Sequence, residues 1–253
     1  MSHLFLLDEL SVVPHEIGDV VTLTGDEARH ASTVNRTRVG EHTTIGDGRG
    51  LLAHGVVVRA DAKELDLAVE RVEEHPEPSP RIVLVQALAK GDRDELAIQT
   101  ATELGISGVV PWQAERSVSR WVGPKAAKGV ERWSSIVREA AKQSIRAHVP
   151  PVGDLVDLTE LISESEGCRM LVLEPSAETR LTSLTFGAEA EGDAGDTRSL
   201  VLVVGPEGGI SPRELDQLAE AGAEAVRLGD EVLRTSSAGP AAVAVLNALL
   251  GRW

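Results

Sequence analysis

The chain has 253 residues, 42% hydrophobic and 26% charged, which is enough for one large or two modest domains with buried cores. A formal net charge of −15 argues against non-specific binding of DNA or RNA over the whole surface. The single cysteine, Cys168, excludes an intrachain disulfide and a cysteine-rich metal site, and the seven histidines include no i, i+4 pair, so no metal is expected.

Residues 1–10 lack the basic and apolar pattern of a secretory signal, and the apolar runs 200–204 and 241–250 are too short to span a bilayer. A cytoplasmic protein with no membrane partner is the expectation. Strand-like runs at 4–7, 20–23, 55–59 and 65–72, with a turn at Gly46-Asp47-Gly48 and a helix between Asp26 and Arg38, predict a barrel-like domain over residues 1–75. The segment His75-Pro76-Glu77-Pro78-Ser79-Pro80 then supplies three prolines, which disfavour helix and central strand alike, and residues 76–80 read as a stiff linker.

From 81 to 253 apolar strands alternate with helical segments. Strands are predicted at 81–87, 108–111, 170–173, 200–204 and 225–228, and helices at 92–104, 125–147 and 238–250. This alternation predicts an α/β domain with a mostly parallel sheet covered on both faces. Residues 187–199, rich in Gly, Asp and Glu, read as a surface loop.

The loop Gly205-Pro206-Glu207-Gly208-Gly209 follows the run 200–204 directly, and Ser211-Pro212-Arg213-Glu214 after it has the form of a helix capping box. A strand-to-helix turn at the carboxyl edge of a parallel sheet is where open α/β domains bind ligands, and glycines let a ligand approach the backbone. A plain tight turn is the competing reading. Neither a dinucleotide fingerprint nor a P-loop is present. A second segment, 228–237, leaves a strand and enters the last helix; its Arg234 suits a phosphate or carboxylate, and Ser236 or Ser237 suits the helix N-cap.

Charge is uneven along the chain: residues 81–150 carry a net +4, whereas 151–253 carry −11. The positive excess includes Lys90, Arg93, Arg116, Arg120, Arg138, Lys142 and Arg146, a composition that suits an anionic partner or a solvated face.

Taken together, Leu4-Phe5-Leu6, Gly46-Asp47-Gly48, Lys90-Gly91-Asp92-Arg93, Glu103-Leu104-Gly105, Glu115-Arg116-Ser117, Gln143-Ser144 with Arg146, the 205–209 loop, and Leu228-Gly229 followed by Val232-Leu233-Arg234-Thr235 carry a resemblance across nearly the whole chain. The sequence resembles the bacterial 16S ribosomal RNA uridine N3-methyltransferases of the knotted SPOUT superfamily. The resemblance implies a PUA-like RNA-binding barrel over 1–75, a trefoil-knotted methyltransferase domain over 81–253, and a homodimer acting on 16S rRNA in the small ribosomal subunit, with no DNA partner. It implies that S-adenosyl-L-methionine lies against Leu173, Glu174, Gly205, Pro206, Glu207, Gly208, Gly209, Leu228, Gly229, Val232 and Leu233. Lys90, Arg93, Arg116, Gln143 and Arg146 become RNA-binding candidates, and Arg234 the catalytic candidate. Two departures stand out: Lys142 where relatives often carry Glu, and Thr235-Ser236-Ser237 where they often carry Thr-Glu-Thr, which removes a carboxylate that could assist proton removal. With no Tyr and two Phe, RNA contact is expected through phosphates and shape more than stacking.

Overall fold

The structure is a computed structural model and describes residues 3–12, 15–186 and 198–253. The acidic stretch expected to form a surface loop, 187–199, falls almost wholly outside the described residues. The chain separates into two compact units, Met1–Glu77 with Ala141–Val149, and Pro78–Ala140 with Pro150–Trp253.

In the first unit the strands β1 (Leu4–Leu6), β2 (Val20–Thr24), β3 (His42–Gly46), β4 (Leu51–Ala60) and β5 (Glu64–Glu74) form one sheet in the order β1-β3-β4-β5-β2. Only β1 and β3 pair in parallel. Strand alternation puts Phe5, Leu23, Ile45, Val57, Leu65 and Leu67 into one core, closed by Ala28 of the short helix α1 (Gly25–Arg29) and by Ala31 just after it. Irregular register after His54 brings β4 so close to β5 that a Cβ at Gly55 would stand 1.9 Å from the Ala68 carbonyl oxygen. Residues 141–149 complete this unit. Gly50 N–H donates to the Ala147 carbonyl at 3.1 Å, Val149 N–H donates to Gly48 at 2.9 Å, and Ala147 and Val149 pack on Leu4, Leu6 and Leu52. The buried Lys142 ammonium pairs with Glu27 at 3.1 Å, so the lysine that departs from the family pattern has a local partner.

The second unit holds β6 (Ile82–Ala87), β7 (Gly108–Trp112), β8 (Arg169–Leu173), β9 (Leu200–Val204) and β10 (Glu224–Val226) in a parallel sheet of order β10-β8-β9-β6-β7. β9 is central and buried along its full length, as expected for a strand covered on both faces. Alternate residues divide between the faces. Val85, Val172, Val201 and Val203 share a cluster with Leu218 of helix α5 (Pro212–Glu220) and Leu161 of helix α4 (Leu158–Glu164). On the opposite face, a Cβ at Gly239 of helix α6 (Thr235–Leu249) would lie 3.3 Å from Leu84 and 3.4 Å from Val204, so glycine sets how near that helix comes. Helix α2 (Arg93–Glu103) is tied to α6 by the Asn247 amide, which donates to the Leu104 carbonyl at 2.6 Å.

Several elements differ from the sequence expectation. The helix expected over 125–147 is α3 (Pro124–Gln143), and it stops early because Ile145 takes a left-handed conformation, φ 53°, that no continuing helix can hold. The last helix begins earlier than expected, with Arg234 rather than Ser236 or Ser237 at the N-cap. Strand β3 and helix α4 are additions. Among the described residues no helix is long and apolar enough to cross a membrane, and no group of His, Cys, Asp or Glu is arranged to hold a metal.

Candidate functional site

Because β10, β8 and β9 are parallel neighbours, the segments leaving Val226, Leu173 and Val204 emerge side by side at one edge of the sheet. They enclose a cavity of about 420 Å³, within the range of small-molecule sites, roughly 300–1,000 Å³. Of the residues assigned to a cofactor from the sequence, Leu173, Glu174, Gly205, Pro206, Glu207, Gly209, Leu228, Gly229, Val232 and Leu233 all line it, as do Arg93 and Arg234.

The 205–209 loop is fixed from four directions. At its start, Thr235 Oγ1 donates to the Gly205 carbonyl at 2.9 Å and accepts from the Gln86 amide at 2.9 Å, linking loop, α6 and β6 through buried groups. A side chain at Gly205 would collide with Ile210, whose Cγ1 lies 2.7 Å from the Cβ position. In the middle, the Glu207 carboxylate accepts from Lys90 N–H at 3.0 Å and from the Arg93 guanidinium at 2.9 Å. Burial opposes its ionisation, but those donors and its own backbone N–H outweigh burial and hold the carboxyl below the usual glutamate range. At its end, Gly209 has φ 71° and donates its N–H to Pro206 at 2.9 Å, closing a tight turn that favours glycine.

Gly208 does not line the cavity. It faces Arg116, whose guanidinium donates to the Gly208 carbonyl at 3.2 Å and whose Cβ would stand 3.2 Å from a Cβ at 208. Arg116 is held in turn by its neighbour. Glu115 accepts from the Ser211 hydroxyl at 2.8 Å, and its N–H donates to Glu214 at 2.7 Å. Ser211 and Glu214 form the capping box of α5 expected from the sequence, with Ser211 N–H donating to Glu214 at 2.9 Å and Glu214 N–H to the Ser211 hydroxyl at 3.2 Å. The Glu115-Arg116-Ser117 motif is thus bolted to the helix that follows the loop.

Lys90 lies beside a second hollow of about 330 Å³, with Trp121, Trp133 and Asp94. Burial raises the pKa of Asp94 against the hydrogen bonds it accepts from Ala89 and Glu95 N–H, and through Ala89 it braces the turn carrying Lys90. Gln143 and Arg146 belong to the 141–149 segment of the first unit; burial lowers the Arg146 pKa to about 10. Gln86, Ile210 and Arg227 also take part in the site, and the sequence reading did not assign them. Gln86 carried a signal, a lone amide inside the apolar run of β6; the others carried none beyond proximity to the motifs.

These features define a class: a parallel α/β domain with a ligand cleft formed by loops at the carboxyl ends of its strands, joined to a small β domain. Residues 75–247 match the model of an RNA methyltransferase domain, and residues 23–70 that of an RNA methyltransferase PUA domain. The chain is 43% identical over 255 aligned residues to the ribosomal RNA small subunit methyltransferase E of Mycobacterium tuberculosis (strain CDC 1551 / Oshkosh), covering 99% of this chain and 93% of that protein. It is 30% identical to the Bacillus subtilis (strain 168) protein of the same name, covering 91% and 90%. Among solved structures, the ribosomal RNA small subunit methyltransferase E of Neisseria gonorrhoeae bound to S-adenosyl methionine superposes with a TM-score of 0.84 at 29% identity, over 98% of both chains. The chain belongs to the ribosomal RNA small subunit methyltransferase E family, with a PUA-like first domain and a SPOUT-type methyltransferase domain.

Proposed function

We propose that this chain transfers a methyl group from S-adenosylmethionine to N3 of a uridine in 16S rRNA, with the cleft between 205–209 and 228–234 as the donor site. One observation carries the reading: the segments after three parallel strands converge on a single cavity that combines apolar walls, accessible backbone and ionised groups of both signs. Leu173, Val204, Ile210, Val226, Leu228, Val232 and Leu233 offer apolar surface to an adenosine. The loop backbones offer donors and acceptors to its base edges and to its amino acid tail. The N. gonorrhoeae relative, bound to this cofactor, supports the assignment.

When bound, the donor supplies an electrophilic methyl group. The chain's own task is then to hold the acceptor in line and to stabilise the uracil once N3 loses its proton. Arg234, in the cleft and at the N-cap of α6, makes no side-chain hydrogen bond to that helix and is free to offset the developing negative charge on the base. Ser236 stands where relatives often carry a glutamate, so stabilisation of the anion falls to Arg234 rather than to a carboxylate at that place. Lys90, Arg93, Arg116, Gln143 and Arg146 are the proposed RNA contacts, and the functional unit is a homodimer. The target base has to leave its stack to reach the cleft, at a cost of a few kcal/mol.

Mass spectrometry of nucleosides from 16S rRNA, in cells with and without this protein, tests the reading. N3-methyluridine at one position should vanish with the protein and return on complementation. An unchanged level would defeat the assignment.

A further inference from the structure

We propose that Glu231 is the carboxylate that reads the sulfonium charge of the methyl donor, so that the cleft binds donor in preference to spent product. The proposal rests on the reading that this cleft holds S-adenosylmethionine. Six charged residues line the cavity: Arg93, Glu174, Glu207, Arg227, Glu231 and Arg234. Four are committed within the protein. Arg93 and Glu207 bind each other, Glu174 accepts from the N–H and hydroxyl of Ser176 at 3.1 and 2.8 Å, and Arg227 pairs with Asp230. The side chains of Glu231 and Arg234 make no hydrogen bond or ion pair among the described residues. One anion and one cation are therefore left for a ligand on the same wall, three positions apart.

The carboxylate of Glu231 is not directed away from that wall. A Cβ at Gly229 would lie 3.3 Å from Glu231 Oε2, so the side chain folds back over the glycine that lines the cleft, and any larger residue at 229 would crowd it. Val232 and Leu233 follow it as exposed apolar residues in the same lining, and a ligand covering them would exclude water from around the carboxylate. Of the three cleft carboxylates, Glu231 alone is not already satisfied by protein donors. Methyl donor and demethylated product share the same ammonium, carboxylate and adenosine. They differ in charge only at sulfur, a sulfonium in one and a neutral thioether in the other. An unpaired carboxylate beside that sulfur attracts the first and is indifferent to the second.

The test is calorimetric titration of the full chain with S-adenosylmethionine and separately with S-adenosylhomocysteine, using the wild type, Glu231→Gln and Glu231→Asp. Glu231→Gln should weaken the sulfonium compound by at least about fivefold, the factor for one unit-charge contact near 4 Å in a water-like dielectric. Its affinity for the thioether should be unchanged, and Glu231→Asp should keep part of the preference. The preference should also shrink as salt is raised. An equal loss for both compounds would place the carboxylate at the shared ammonium and overturn the proposal, as would no loss for either. Wild-type protein that binds neither compound would overturn the cleft assignment itself, and the proposal with it.

Discussion

In the loop 205–209 the Gly205 and Gly208 carbonyls and the Glu207 carboxylate are each held by another part of the second unit, whereas in the segment 228–234 the last four side chains are exposed and two charged ones have no protein partner among the described residues. Thr235, Arg93, Lys90 and Arg116 each hold the first loop at a named atom. By contrast Val232 is 76% exposed and Leu233 41% exposed. The difference separates two tasks that a small-molecule cleft must perform: one wall supplies a fixed shape, and the other keeps apolar surface and charge in reserve for the ligand. Pre-arrangement of the first wall lowers the ordering cost of binding, and the free groups on the second supply discrimination.

The largest effect is expected on the second wall. Arg234→Ala should lower kcat by roughly 10²–10³-fold, the scale for removing one preorganised donor to a developing anion. Donor affinity and melting temperature should stay close to wild type. Single-turnover methylation with saturating RNA measures this, and an unaltered rate in a variant that binds both substrates would remove Arg234 from the chemistry. On the first wall the effect should fall on stability and binding instead. Thr235→Val keeps the shape but leaves the buried Gln86 amide and Gly205 carbonyl without their shared partner, at a cost of about 1–3 kcal/mol in urea unfolding. Thr235→Ser should recover most of that loss.

A smaller effect concerns Glu207. Its folded pKa is depressed, so its contribution to stability is present above the unfolded value, near 4.3, and is lost as pH falls through the lower folded value. Glu207→Gln should therefore be less stable than wild type at pH 7 by about 1 kcal/mol or less, and melting curves should converge as the pH is taken below 4. Arg116→Ala should be the mildest, within about 1 kcal/mol, since its contact with Gly208 is exposed. Its trace should be faster amide exchange in 206–209 rather than a lower melting point.

The second unit was more legible in the sequence than the first, and the reason lies in the kind of burial. β9 is an unbroken apolar run because helices cover both of its faces, and its limits, 200–204, are those read from the sequence. β3 escaped because its buried residues include Thr43 and Thr44. Their hydroxyls are satisfied by the His3 carbonyl at 2.9 Å and by His54 Nδ1 at 3.0 Å, contacts that a hydrophobic pattern does not register. Helix α4 is only 7 residues long, too short for its Asp157–Glu160 capping box to be followed by a clear helical periodicity. The end of α3 depended on Ile145 adopting φ 53°, for which a β-branched residue is no signal.

At the site, the Ser211 capping box placed the 205–209 loop correctly because its chemistry is local. The convergence of 173–174, 205–209 and 228–233 follows instead from the order β10-β8-β9, which no spacing along the chain encodes; the family resemblance supplied it. The separation of Gly208 from the cleft, against its expected place beside the cofactor, and the pairing of Arg93 with Glu207 depend on contacts between positions about a hundred residues apart, which neither spacing nor the resemblance supplied.

Hydrogen–deuterium exchange of the full chain, with and without saturating S-adenosylmethionine, tests the contrast between the walls most directly. Protection should rise most in 228–235, where the ligand orders an exposed segment, and only slightly in 205–209, which the protein already holds. The largest gain in 205–209, or no gain in either segment, would contradict the division of labour and the placement of the donor between them.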